Sequence, residues 1–288
     1  MIKYFLNSLL LLLVLTGQSF SQFVTLHVEK DINGSGSGQI TVNGTAKTLP
    51  YTDNFLVGTP IEIIAVPDIG NHFVEWSGDL NSTNSTETFS MFTDRNISVT
   101  YEIDELIIGA TVNPSGSGSI SGLNAGGIYS YNDEVNLTAT ANTGYTFTKW
   151  TENGTQVSTN TNYSFTATVD RNLVANFSQN QYTITATANP SGGGTITGLK
   201  VGGIYIHGEQ VNLTATANTG YTFTNWTENG TAVSSNANYS FSASTNRNLV
   251  ANFSQNQYTI TATANPSGGG TITGLKVGGI YIHGEQVN

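Results

Sequence analysis

The sequence predicts an all-β, mainly antiparallel chain built from small modules in tandem, and three observations support that reading. The pattern G-x-x-F-x-x-W occurs three times, as Gly70–Trp76, Gly144–Trp150 and Gly220–Trp226, and these copies hold all three tryptophans of the chain. Each copy follows a run in which apolar and polar residues alternate, which is the period of a half-buried strand. Landmarks recur at one spacing: Pro114, Pro190 and Pro266 are 76 residues apart, and so are Arg95, Arg171 and Arg247. Self-similarity at a fixed period is the signature of a repeat architecture. The modules are expected to follow one another like beads on a string.

Taken in order, residues 1–21 read as a secretory signal peptide. Lys3 precedes the apolar stretch Leu9–Leu15, and Ser19 and Ser21 place small residues before a cleavage point at Gln22. The alternative, a membrane anchor, needs about 20 apolar residues, and the apolar stretch here ends at Thr16-Gly17-Gln18. No transmembrane span is therefore expected after cleavage. The chain contains no cysteine, which excludes a lipid anchor on a cysteine, a disulfide and a thiolate metal site.

The first module, 22–106, opens with the alternating strand Phe23–Val28. A turn at Asn33–Gly38, a short strand at Gln39–Val42 and the tight-turn pair Asn43-Gly44 follow. Pro50 and Pro60 bracket a loop that leads into the strand Ile61–Val66. After Phe73 and Trp76 come a polar loop (Ser77–Thr86), the strand Glu87–Phe92, a turn at Thr93–Asn96 and the strand Ile97–Tyr101. Residues 107–181 and 182–257 repeat this plan, with identical linkers at Ser178–Gln181 and Ser254–Gln257. A fourth copy, 258–288, stops before its own motif, and residues 248–288 are identical to 172–212. It is expected to be a truncated module with further sequence beyond it.

Alternation assigns the faces. Val135, Leu137 and Ala139 point one way on one strand; Leu173, Ala175 and Phe177 do so on another. Small residues on the core face leave room for Phe147 and Trp150, each of which can bury about 150–250 Å². Residues three apart cannot share a face on a regular strand, so a bulge or strand end is expected between them. Gly144 is expected to supply a positive φ just before it. The only departure from strands and loops outside the signal peptide is a short turn near Leu199–Gly203.

Only 10% of residues are charged, and Thr, Ser, Asn and Gly fill the gap, in keeping with a β-rich, neutral, polar, extracellular-looking surface. The net charge of −10 belongs to the first module, where twelve acids face three Lys/Arg; the third module has two of each. No basic footprint for nucleic acid exists.

The combined layout resembles the divergent internalin B-type repeat, or bacterial repeat domain. The matching residues are the first strand Tyr182–Ala186, the turn Gly192-Gly193-Gly194, the strand Gly208–Ala215, the motif Gly220–Trp226 and the last strand Leu249–Phe253. The departures are small: Asn132 stands where the family has a glycine, and Tyr101 where it has a final Phe. The resemblance covers nearly all of residues 23–288. It implies a small β-grasp-like module on exported bacterial surface proteins, without catalytic residues or cofactors.

Chemistry-bearing motifs are sparse. The four histidines show no H-x-x-x-H or H-E-x-x-H spacing, and no D-x-[DN]-x-[DN]-G loop is present. No G-x-S-x-G elbow exists. A carboxylate pair would have to come from the first module alone, since the third has only Glu209 and Glu228. No enzyme is therefore expected. Asn-x-Ser/Thr sequons such as Asn136-Leu137-Thr138 arise by composition. The structural motif residues are Gly70, Phe73, Trp76, Gly144, Phe147, Trp150, Gly220, Phe223 and Trp226. Arg95, Arg171 and Arg247 recur in Asp/Asn-Arg-Asn triplets. They fit either recognition of an anion or glycan, or a turn in which Asp/Asn bonds the backbone and Arg packs on an aromatic; the turn explains all three copies.

The expected function is a secreted or cell-surface stalk or adhesive spacer, whose partners would be host or surface glycans or proteins. The alternative is a set of carbohydrate-binding accessory modules. It rests on Tyr129, Tyr131, Tyr145, Tyr163, Tyr205, Tyr221 and Tyr239 as exposed stacking platforms.

Overall fold

The computed structural model describes residues 21–287, so the signal-peptide reading of residues 1–21 falls outside the described residues but for Ser21. The described chain is strand and turn throughout. Compactness divides it into two units. One holds the chain up to Ala110 with Gly122–Leu137 and Asn162–Leu173; the other holds Thr111–Ser121, Thr138–Thr161 and the chain from Val174 onward.

The first eight strands are β1 (Phe23–Lys30), β2 (Gly38–Val42), β3 (Thr45–Lys47), β4 (Tyr51–Leu56), β5 (Thr59–Pro67), β6 (Asn71–Gly78), β7 (Thr86–Met91) and β8 (Arg95–Ile103). They form two four-stranded sheets, ordered β4-β1-β8-β6 and β3-β2-β5-β7. Alternation decides what is buried: Leu26 and Val28 on β1, Ile40 on β2, Ile61 and Ile63 on β5, and Ile97, Val99 and Tyr101 on β8 meet in one core around Trp76.

The pattern recurs in β9 (Glu105–Asn113), β10 (Gly118–Ser121), β11 (Ile128–Ser130), β12 (Glu134–Ala141), β13 (Tyr145–Glu152), β14 (Thr155–Ser158), β15 (Asn162–Thr166) and β16 (Arg171–Gln179). The sheet orders are β11-β9-β16-β13-β14 and β10-β12-β15. Val135, Leu137, Ala139, Leu173, Ala175 and Phe177 are buried, on the faces that alternation assigns them.

It recurs again in β17 (Gln181–Asn189), β18 (Gly194–Thr197), β19 (Ile204–Ile206), β20 (Gln210–Ala217), β21 (Tyr221–Glu228), β22 (Thr231–Ser234), β23 (Asn238–Ser242) and β24 (Arg247–Gln255). These give β19-β17-β24-β21-β22 and β18-β20-β23. Two further strands, β25 (Gln257–Thr259) and β26 (Ile280–Ile282), pair antiparallel. A 3₁₀ turn at Val201–Gly203 stands where a short turn was expected, and Ala125–Gly127 forms a second one that was not expected.

Two features depart from the sequence reading. The stretch between Pro50 and Pro60, expected as a loop, contains β4, which pairs antiparallel with β1 from Phe23↔Leu56 to Val28↔Tyr51. Its Asp53-Asn54 centre has low strand propensity, and pairing to β1 overrides it. In addition, the first and last strands of a repeat run parallel: β1 with β8, and β17 with β24. The remaining pairings of the first repeat (β1 with β4, β2 with β3 and β5, β5 with β7, β6 with β8) and of the third are antiparallel, and the class stands as all-β and mainly antiparallel.

Candidate functional site

The motif forms the strand that flanks the last strand of each repeat. On β6 the pairing with β8 slips between Phe73 and Glu75, so that Phe73 faces Tyr101 while Glu75 faces Thr100. On β21 the same slip falls between Phe223 and Asn225, opposite Phe253 and Asn252. One extra residue turns an i, i+3 pair onto a common face. Phe73 and Trp76 then stack at 5.5 Å between ring centroids, Phe147 and Trp150 at 5.9 Å, and Phe223 and Trp226 at 6.0 Å. Each Phe also meets the terminal ring of the last strand: Tyr101 at 6.5 Å, Phe177 at 5.5 Å and Phe253 at 5.7 Å.

All three indoles are at most 1% exposed. A buried N–H needs an acceptor, and a loop carbonyl supplies it: Asn84 at 3.0 Å, Thr161 at 3.3 Å and Ala237 at 3.2 Å. The motif glycines Gly70, Gly144 and Gly220 have φ of +76°, +85° and +84°, a region that L side chains avoid.

The arginines are held by their own repeats. Arg95 lies 4.7 Å over Phe89 and donates from Nη1 to the Asp79 carbonyl at 2.7 Å. Arg171 lies 4.2 Å over Phe165 and donates to the Tyr163 hydroxyl at 3.2 Å. Arg247 lies 4.3 Å over Phe241, donates from Nε and Nη2 to the Glu228 carboxylate at 2.9 and 2.7 Å, and from Nη1 to the Tyr239 hydroxyl at 3.0 Å. The hydrogen bonds from Arg247 hold the Glu228 carboxyl below the usual carboxylate range. The preceding Asp or Asn ties the turn to the repeat's first strand. Asp94 accepts the Thr25 N–H at 2.7 Å, Asp170 that of Ile107 at 2.9 Å and Asn246 that of Thr183 at 2.9 Å.

Of the seven tyrosines considered as stacking platforms, Tyr129 and Tyr205 are buried and the other five are half-buried. Sequence reasoning missed what the buried pair does. The Tyr205 hydroxyl accepts the Lys200 N–H at 2.8 Å, and the Tyr129 hydroxyl accepts that of Asn124 at 2.9 Å. Each phenol thereby pins the loop ahead of its own strand. The signal was available: Gly-Ile-Tyr recurs at the repeat spacing. Among the described residues no group of His, Asp and Glu is arranged to hold a metal ion, and no helix is long and apolar enough to cross a membrane.

The sequence pattern of the divergent InlB B-repeat domain matches residues 25–105, 108–181 and 184–257. The chain belongs to this family. A search of the curated proteins found no match. Among solved structures, these InlB B-repeats are similar to the Bacillus anthracis TIE protein, at 10% identity and a TM-score of 0.39, over 81% of this chain and 51% of that one. They are also similar to the pilus adhesin SpaC of Lactobacillus rhamnosus GG, at 10% identity and a TM-score of 0.23, over 83% and 44%. A third is the major pilin protein of Streptococcus pyogenes, at 10% identity and a TM-score of 0.16, over 83% and 99%. The InlB B-repeat chain thus spans about half the length of the first two.

Proposed function

We propose that this chain is an exported, cell-surface repeat protein that acts as a stalk or adhesive spacer without catalytic activity. In this reading residues 1–21 are a signal peptide, and modules at 22–106, 107–181 and 182–257 precede a fourth copy at 258–288. The observation that favours it is where the shared residues point. The three motif tryptophans are at most 1% exposed, and the recurrent arginines pack on rings of their own repeat. What has been copied is a core, so the copies multiply length. Copies would also multiply weak contacts, if each carries one, by raising effective concentration.

The second reading, glycan binding, draws on one observation: an open cleft in the first repeat lined by Asn43, Glu62, Thr88, Phe89 and Ser90. It pairs a ring with hydrogen-bonding groups, as a sugar site requires. A glycan-array screen of residues 22–288, with tryptophan fluorescence on the same sample, separates the two. The spacer reading expects no specific glycan and blue-shifted emission from buried indoles. Specific binding of a glycan, whether or not it quenches the emission, would replace it with carbohydrate binding.

A further inference from the structure

The motif glycine has a second neighbour that its own repeat does not supply. In the second unit, the Gly144 carbonyl accepts the Asn180 N–H at 2.8 Å, and the Asn180 carbonyl accepts the His207 N–H at 2.9 Å. The same relay runs from Gly220 through Asn256 (2.8 Å) to His283 (3.1 Å). In the first unit it runs from Gly70 through Asp104 (2.9 Å) to Tyr131 (2.9 Å). The linker side chain is tied as well. Asn180 Oδ1 accepts the Thr146 hydroxyl and Asn256 Oδ1 that of Thr222, both at 2.7 Å, while Asp104 meets His72 Nδ1 at 2.9 Å. A linker residue whose N–H and C=O are both bonded, and whose side chain is bonded too, has little torsional freedom left.

The ring that ends each relay lies on the glycine that begins it. A β-carbon built on Gly144 would overlap the His207 imidazole, one on Gly220 the His283 imidazole, and one on Gly70 the Tyr131 ring. His207 also meets Tyr182, at 6.0 Å between centroids, and His283 meets Tyr258 at 6.1 Å. Each imidazole thus touches both a bare backbone and a phenol. Tyr131, His207 and His283 occupy one repeat position, 76 residues apart.

We infer that Gly70, Gly144 and Gly220 are docking sockets whose partner is the following repeat, engaged through a flat ring at position 131, 207 or 283, so that each joint is locked rather than hinged. As a statement about the joint this stands on the hydrogen bonds and the ring. As an account of how reach is maintained it rests on the spacer reading.

The absence of native cysteine makes the test direct. Thr140→Cys and Thr216→Cys, both at exposed equivalent positions, receive spin labels in the otherwise intact chain, and pulsed EPR reads their distance distribution. A single narrow peak is expected. His207→Ala removes the ring without altering the backbone and should broaden the peak; His207→Tyr, which copies position 131, should restore it. Gly144→Ala should also broaden it. Gly154→Ala is the control: Gly154 has φ +80° but open space where its β-carbon would go, so it carries the same backbone strain and should leave the peak narrow. A parent distribution as broad as that of His207→Ala, or equal broadening by the two glycine variants, would overturn the locked joint. If Gly144→Ala unfolds its repeat, the His207 pair decides alone. A hinged joint with no glycan bound would sink this inference and leave the spacer reading in place.

Discussion

The first and third repeats build the same core with different residues. Both place a Phe and a Trp on one face through a slip in pairing, and both tie an Asp or Asn to the first strand. They differ in the supports. Beside Trp226 the third repeat has the strand β22, and Tyr239 stacks on the indole at 6.3 Å. Beside Trp76 the first repeat has only an isolated bridge to Ser82, and Glu87 takes the place of the tyrosine, accepting the Ser82 hydroxyl at 2.5 Å. The third repeat anchors its arginine on a carboxylate, Glu228, where the first uses a backbone carbonyl, Asp79. The first repeat adds the hairpin β2–β3 over Asn43-Gly44 and ends its last strand in Tyr101 rather than Phe. The module is therefore specified by roles: a ring pair, an anchored arginine, a tied turn. Several side chains can fill each role.

The largest test of that equivalence is at the tryptophans. Trp226→Ala and Trp76→Ala each remove a fully buried indole and should each cost about 3–5 kcal/mol, removing one repeat's step from a guanidinium unfolding curve followed by circular dichroism. A large loss in one repeat and a small one in the other would show that the two cores are not equivalent.

A smaller effect should separate the repeats by pH. Glu228 has a lowered folded-state pKa, so its contribution is fully present above the ordinary glutamate value of about 4.3. It is lost as pH falls through the lowered value. Glu228→Gln should cost the third repeat about 1 kcal/mol at pH 7 and nothing at low pH, with the first repeat unmoved. A Glu228→Gln difference that persists unchanged at low pH would show that the carboxylate charge is not what anchors Arg247.

Tyr101 tests the first repeat from the other end of the scale. Burial pushes its phenol up to about 12, and its hydroxyl donates to the Gln39 carbonyl at 2.6 Å. A raised pKa stabilises the fold fully below the ordinary tyrosine value of about 10, and that contribution is lost as pH rises through about 12. Tyr101→Phe should cost about 1 kcal/mol at neutral pH and make the first repeat's alkaline unfolding resemble that of the others, which carry Phe177 and Phe253. Unchanged alkaline unfolding in Tyr101→Phe would remove the phenol from the account.

Periodicity made much of this molecule legible in advance. Alternation named the buried faces of Val135–Ala139 and Leu173–Phe177, and the spacing of Phe and Trp called for a bulge or a strand end, because both properties are local to one strand. A glycine ahead of a turn likewise announces its φ. Partners in space are a different matter. Nothing in a period of two says that β1 lies parallel to β8, since that pairing joins residues some 70 positions apart. Nothing in the Asp- and Asn-containing stretch of β4 says that β1 will hold it extended. Nor does the motif reveal that Gly144 faces His207, 63 residues later. The sequence by itself determined the repeat, its strands and its core, through local sterics and side-chain alternation. Tertiary structure alone decided strand order, which ring and which acceptor hold each arginine, and the locking of the joints, because each of these depends on which distant groups meet once the cores have formed.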